Sequence, residues 1–410
     1  EYPSLVRGGH NVFQLLVDTN PVNSVTKQVD VLVALNQNTI TENLSDLCKE
    51  GVLIYDADSV KVSGAKLKND HLHGIGIPLG TIARESGNDL MRNVVAIGAT
   101  LALVGQNLAI ANKVVRENFK HKGKKVIDQN LKALKAGHDH IKKNYTDDFI
   151  CTLPTLAKKD NILISANESL AMGALAGGLN FYVAYPMTPS SSILHYLAKV
   201  AQKVGAVVKH AEDEIAVVNM ALGAAHSGAR TMVATSGGGF ALMSEALGLV
   251  SLTETPLVMV NVQRAGPATG IPTWTEQGDL QFMLHAAPGD FPRIVIAPGD
   301  AQEAFDLAWQ ALNLAEIYQL PVIILSDKLI GEGNTTVKRF KTNNVKINRG
   351  KLLTQAQLNK TKKYLRYKLT ADGVSPRALP GMKKGLFIAN SDEHDEYGFS
   401  WESSDNRIKQ

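Results

Sequence analysis

From Asn161 to Ser326 the chain alternates short apolar runs with helical patterns, and this rhythm constrains the fold more than any other feature. Strands are expected at 161–165, 181–185, 206–210, 231–235, 257–262, 293–297 and 321–326, with helices over 167–178, 193–204, 212–227 and 300–318 and, after the loop 236–239, a helix to Glu254. Apolar strands that alternate with helices form a parallel sheet covered on both faces. Ligands on such sheets bind at the carboxyl ends of the strands. The loops after Tyr185, His210, Thr235 and Val262 should therefore converge.

The first loop is the richest. Phe181–Tyr185 ends in a proline turn, Pro186 to Pro189, and hydroxyl residues then open a helical pattern at Ile193. A strand that stops at a helix N-terminus points backbone N–H groups into a crevice, and Thr188, Ser190 and Ser191 add side-chain donors. That suits a carboxylate or a phosphate. The same letters also read as an ordinary N-cap with a proline stop.

The second loop carries Glu212, Asp213 and Glu214, the third Gly237, Gly238 and Gly239, and the fourth runs from Gln263 to Pro272. Arg264 follows an apolar strand, where a guanidinium can clamp a carboxylate with two parallel hydrogen bonds; an ion pair with Glu212 or Asp213 is the competing use. Glu214 precedes small apolar residues. Partial burial would raise its pKa and suit it to proton sharing, although an acid in a first helical turn also stabilises the helix dipole. The glycine triplet lacks the dinucleotide-binding spacing and equally reads as a tight packing turn.

Around this core, residues 1–150 read as a first α/β domain. Strands are expected at 12–17, 29–35 and 51–55, helices over Thr41–Lys49 and Val94–Val104, and one helix or a pair of helices over Asn118–Lys143. Residues 151–160 are a linker. Between Gly331 and Thr370 eleven Lys and Arg face one acid, so a net charge of +4 for the whole chain hides a +10 stretch. This stretch reads as a solvated basic connector over 331–375, with no recognised nucleic-acid motif. Leu386–Ala389 is expected to be a strand opening a third domain over 376–410.

Several chemistries find no support. There is no nucleophile elbow and no Walker lysine motif. His71 and His73 are spaced like metal ligands but no Cys or Asp cluster accompanies them. No apolar run would span a bilayer, and no signal peptide pattern is present. Two separated cysteines, Cys48 and Cys151, cannot hold a four-cysteine iron–sulfur cluster and fit a reducing cytoplasm.

Taken in order, Tyr-Pro-Met-Thr-Pro-Ser-Ser (185–191), Glu-Asp-Glu-Ile-Ala (212–216), Thr-Ser-Gly-Gly-Gly-Phe (235–240) and Gln-Arg-Ala-Gly-Pro-Ala-Thr-Gly (263–270) resemble the alpha subunit of 2-oxoacid:ferredoxin oxidoreductases. Thr-Glu-Gln-Gly-Asp (275–279) and His-Asp-Glu-Tyr-Gly (394–398) fit as well, and Tyr2–His10 resembles the gamma domain that many members carry ahead of alpha. Met187 stands where the family usually has Ile. The gamma domain's opening glycine turn and the full C-terminal alpha domain are not in the sequence, which implies a fragment truncated at both ends.

The resemblance implies a gamma-like α/β domain followed by a pyrimidine-type thiamine diphosphate-binding domain over 161–330. It implies decarboxylation of a 2-oxoacid on thiamine diphosphate, transfer of the acyl group to coenzyme A, and electrons leaving to ferredoxin. Glu214 would bond the aminopyrimidine, and Thr188 and Arg264 would hold the substrate carboxylate. The loop of Tyr185, Pro186, Thr188, Pro189, Ser190 and Ser191 would contact cofactor or coenzyme A, and Gly237 and Gly238 would line the cofactor ring or a subunit interface. Magnesium and a 4Fe–4S cluster would sit on a separate beta subunit, in a heterodimer or a dimer of heterodimers. A non-redox thiamine enzyme subunit and a non-catalytic scaffold subunit are the alternatives.

Overall fold

The computed structural model describes residues 10–22, 24–69, 71–145, 152–154 and 160–409. The chain forms two compact units, Leu5–Lys159 and Asp160–Gln410.

In the first unit, β1 (Val29–Ala34), β2 (Leu47–Asp56) and β3 (His73–Ile77) make a three-stranded parallel sheet in that order. Helices Arg92–Leu103 and Lys124–Asn144 pack on it through Val95, Ala99, Ala133 and Ile141. Gly98 and Gly137 let these two helices touch backbone to backbone. A Cβ on Gly98 would lie 2.0 Å from the Leu134 carbonyl oxygen, and one on Gly137 would lie 2.0 Å from that of Val95. Gly137→Ala must push the helices apart. It is expected to destabilise the first unit by roughly 2–3 kcal/mol, read from urea unfolding of the full chain.

Several expectations shift here. The strand expected over 12–17 does not form: Val12, Phe13 and Leu15 are exposed and no neighbouring strand pairs with them. An apolar run becomes a strand only where a ladder awaits it. The helix expected over Thr41–Lys49 instead covers Gln37–Asn43, because the Asn36 side chain accepts from Thr39 N–H and starts it early; Leu47 already belongs to β2. Over Asn118–Lys143 the pair of helices is the reading that holds, Ala109–Phe119 and Lys124–Asn144 with Gly123 at φ +86° between them, the first starting earlier than expected. β3 went unforeseen. His73 lies in it, 3.1 Å from Glu50.

The second unit holds β4 (Asn161–Ile164), β5 (Phe181–Ala184), β6 (Val207–His210), β7 (Thr231–Thr235), β8 (Leu257–Gln263), β9 (Ile294–Ile296), β10 (Pro321–Asp327) and β11 (Thr335–Lys338). Six of them form one sheet in the order β6-β5-β7-β8-β10-β9, with every recorded pairing parallel. β4 is not among them. It pairs antiparallel with β11, so the expected first strand of the main sheet lies in a separate ribbon.

Period-two alternation explains the double covering. Val258, Val260 and Val262 of β8 face helices Ala166–Ala176, Ser191–Val204 and Ala301–Tyr318. Leu257 and Met259, at the alternate positions, face helices Glu214–His226 and Gly237–Leu252. The helix after β5 and the helix after β7 therefore cover opposite faces. Between β5 and β7 the winding reverses, and a crevice opens at such a switch point.

Most basic side chains of the 331–375 stretch are exposed, as a solvated connector requires, but a few tie it to the sheet unit. Leu386–Ala389 forms no strand. Arg366 is buried, donating to Glu254 Oε2 at 2.9 Å and to the carbonyl of Glu254 at 2.8 Å, just past the C-terminus of helix Gly237–Leu252. His394 Nε2 lies 3.0 Å from the Leu252 carbonyl oxygen. The charge count could not single out Arg366, whose side chain turns inward to a helix C-terminus and a carboxylate while most of its basic neighbours stay exposed. Among the described residues no helix is long and apolar enough to cross a membrane.

Candidate active site

The Asp213 side chain accepts from Ala216 N–H at 2.7 Å and so starts helix Glu214–His226. That cap fixes Glu214 in the first turn, where it is only 3% exposed. Its Oε1 has no hydrogen-bond partner among the described residues. Burial raises its pKa above the ordinary carboxylate range, while the nearby Arg264 charge pulls the other way.

Gly239 makes this burial possible. A Cβ there would stand 2.5 Å from Glu214 Oε1 and 2.1 Å from Thr235 Oγ1. The glycine triplet is not a loop: it forms the first turn of helix Gly237–Leu252. Gly237 and Gly238 look elsewhere, toward the Asp279 carboxylate and the Ala268 carbonyl respectively. Of the three glycines, Gly239 is the one packed on the acid.

Arg264, buried at the end of β8, donates through Nη1 to the Thr188 carbonyl at 2.8 Å. This bond joins the first and fourth loops. Thr188 is half-buried, and Tyr185 and Pro186 are exposed. The hydroxyls behave differently from the crevice-facing donors expected. Ser190 is buried and its Oγ donates back to the Met187 carbonyl at 2.7 Å, so it shapes the turn. Ser191 is buried in the first turn of its helix, and Pro189 is buried beside it.

Sequence reasoning missed Asn167. It is fully buried, and its Nδ2 donates to the Pro189 carbonyl at 2.9 Å and to Ser192 Oγ at 2.8 Å. Asn167 thus holds the Tyr185–Ser191 loop from behind while Arg264 holds it in front. An asparagine inside a small-residue helix was the available signal. Side-chain oxygens of Asn167, Ser236, Asn261 and Ser326 are buried without partners among the described residues, and these residues lie at or just beyond the carboxyl ends of strands or open helices there. Buried polar atoms are nearly always paired in a working protein, so these four have hydrogen-bonding capacity left for water or a polar ligand.

Two families match. Residues 172–410 match pyruvate flavodoxin/ferredoxin oxidoreductase, thiamine diphosphate-binding, and residues 1–140 match pyruvate ferredoxin/flavodoxin oxidoreductase. A 2-oxoacid:ferredoxin oxidoreductase subunit alpha from Saccharolobus solfataricus is 32% identical over 100% of this chain and 71% of its own length. The chain belongs to the 2-oxoacid:ferredoxin oxidoreductase alpha-subunit family. Another family member, the 2-oxoglutarate oxidoreductase subunit KorA of Mycobacterium tuberculosis, is 33% identical over 81% of this chain and 56% of its own. Among solved structures, 2-oxoglutarate:ferredoxin oxidoreductase from Magnetococcus marinus, with 2-oxoglutarate, coenzyme A and succinyl-CoA bound, superposes with a TM-score of 0.88. It is 34% identical and is matched over 95% of this chain and 67% of its own. Within this family frame, the crevice between β5 and β7 belongs to the domain matched as thiamine diphosphate-binding.

Proposed function

We propose that this chain contributes the alpha half of the active site of a 2-oxoacid:ferredoxin oxidoreductase, which converts a 2-oxoacid and coenzyme A to an acyl-CoA and carbon dioxide and passes electrons to ferredoxin. The observation that carries the reading is Glu214, a buried carboxyl with an orphaned oxygen at the switch point of a parallel sheet. Such a group needs a hydrogen-bond partner, and the aminopyrimidine of thiamine diphosphate fits it. When bound, that cofactor supplies the nucleophilic carbon and the electron sink for decarboxylation.

This chain's own residues then have separable roles. Glu214 holds or shares a proton with the pyrimidine ring, a task for which a raised pKa is suited. Arg264 presents a fixed positive charge to the substrate carboxylate, and Thr188 adds a hydroxyl beside it. The Tyr185–Ser191 loop, with Tyr185 and Pro186 exposed where it leaves β5, offers a surface to coenzyme A. Gly237 and Gly238 support the loop above them.

A beta subunit completes the site and supplies the magnesium ion and the 4Fe–4S cluster, since these 410 residues include only two cysteines. The reducing cytoplasm suits such clusters. The names of the relatives favour 2-oxoglutarate as the first substrate to try, followed by pyruvate and branched-chain oxoacids.

The test is viologen reduction by the chain co-expressed with its beta partner and supplied with thiamine diphosphate and each oxoacid, with and without coenzyme A. Reduction that needs both an oxoacid and coenzyme A is the expected result. An intact, cluster-loaded complex that releases carbon dioxide without reducing viologen would make this a non-redox thiamine enzyme. One that does neither would leave a scaffold.

A further inference from the structure

The loop between β8 and helix Leu280–His285 carries Arg264 at its start and Asp279 at its end. Both ends are fastened. Arg264 reaches across to the Thr188 carbonyl at 2.8 Å. Asp279 Oδ2 accepts from Asn261 Nδ2 at 2.8 Å, and Asp279 N–H donates to Gln263 Oε1 at 2.9 Å. Gln263 in turn donates to the Ser326 carbonyl at 3.2 Å, and Gln277 donates to Asp327 Oδ2 at 2.7 Å. The far end of the loop is thus tied to the carboxyl ends of β8 and β10.

The Asp279 carboxylate also lies against the first turn of helix Gly237–Leu252. A Cβ on Gly237 would stand 2.6 Å from Oδ2 and 2.8 Å from Oδ1, so a side chain there would have to displace the carboxylate. Ser236, the N-cap, makes no side-chain cap bond. A carboxylate beside a helix N-terminus is held by the dipole as well as by its hydrogen bonds. This chain therefore places its own anion where the glycine triplet invites a foreign one. Between its fastened ends the loop closes on itself, with Ile271 N–H donating to the Ala265 carbonyl at 3.1 Å and Trp274 N–H to the Ile271 carbonyl at 3.0 Å.

We propose that Asp279 is a positioning residue: by clasping the loop's far end through its carboxylate to Asn261 and the Gly237 turn, beside its own backbone bond to Gln263, it fixes Arg264 for the substrate carboxylate. The proposal rests on reading Arg264 as the carboxylate clamp. Asp279 itself touches no reacting atom.

The test compares Asp279→Ala with Asp279→Asn in the complex with the beta partner, using two independent readouts. Hydrogen exchange reads the clasp. In Asp279→Ala the amides of Ala265, Ile271 and Trp274 should exchange at least about tenfold faster, while those of helix Glu214–His226 keep their rates. Steady-state kinetics read the consequence. The KM for the 2-oxoacid should rise roughly tenfold, with kcat and the KM for coenzyme A within about twofold of wild type. Asp279→Asn retains an oxygen to accept from Asn261 and should recover most of both.

Unchanged loop exchange in Asp279→Ala overturns the clasp whatever the kinetics. Faster exchange with an unmoved oxoacid KM overturns the link to Arg264. A collapse of all kinetic constants that Asn does not relieve makes Asp279 merely structural. A wild-type complex inactive on every oxoacid refutes the functional reading, and the substrate half of this proposal falls with it, while exchange still judges the clasp.

Discussion

Glu214→Gln is expected to lower kcat by about a hundredfold or more in the complex with beta, without loss of assembly. Gln fills the same space beside Gly239 and Thr235 and makes no new clash. It cannot exchange a proton with a bound ring, so only the chemistry is removed. Assembly, measured by co-purification of the two subunits, should match wild type. A kcat within about threefold of wild type would remove Glu214 from the mechanism, because an acid–base residue contributes far more than that.

The same substitution has a stability signature. Burial raises the folded-state pKa of Glu214 above its unfolded value. The folded state therefore holds the proton more tightly, and stability is full below the unfolded pKa. It falls as pH rises through the folded pKa and then levels. Gln carries no such proton, so Glu214→Gln should melt with a flatter pH profile and gain most on wild type at the alkaline end. Thermal melts across the acidic-to-neutral range check this.

The architecture of the second unit was legible because β5, β7, β8 and β10 are buried on both faces and read as short apolar runs. Helix starts were legible where a capping side chain announced them, as at Asp213 and Asp300. What stayed hidden depended on partners distant in sequence. The apolar run at 12–17 looks like a strand, and only the missing neighbour prevents it. β4 looks like its fellows, yet it pairs with β11 some 170 residues later in an antiparallel ribbon. At the site, the loop pattern left Glu214, Thr188 and Arg264 open to ordinary structural readings, and it was the family resemblance that singled them out. It could not say that Arg264 grips the Thr188 carbonyl, that Ser190 turns back on Met187, or that Gly239 rather than its neighbours stands over the acid. Those facts belong to backbone approach, for which the letters Gly-Gly-Gly give permission but no direction.

The largest expected loss of stability comes from Glu316→Ala. Glu316 is buried on helix Ala301–Tyr318 and meets three arginines. Arg230 binds its Oε2, Arg349 straddles both oxygens, and Arg377 donates to Oε1 at 2.9 Å. Asn313 adds an acceptor for Arg230 at 2.8 Å and holds Asn348 N–H at 2.9 Å. One carboxylate thereby ties residues 348–377 of the basic stretch to the sheet domain. Burial already depresses the Arg377 pKa to about 10, so its charge is strained even with the acid present. Removing the acid leaves three guanidinium groups facing each other in a poorly solvated place. Breaking one side of a buried pair costs about 3–5 kcal/mol, whereas replacing a whole pair by apolar residues is often neutral. Glu316→Ala should lower unfolding stability by roughly that amount and expose residues 340–378 to protease before the rest of the domain opens. Urea unfolding and timed proteolysis of the full chain report both effects. A loss under about 1 kcal/mol would mean that the apolar contacts of Leu358, Tyr367 and Ala378 hold this segment and that the arginines only decorate it.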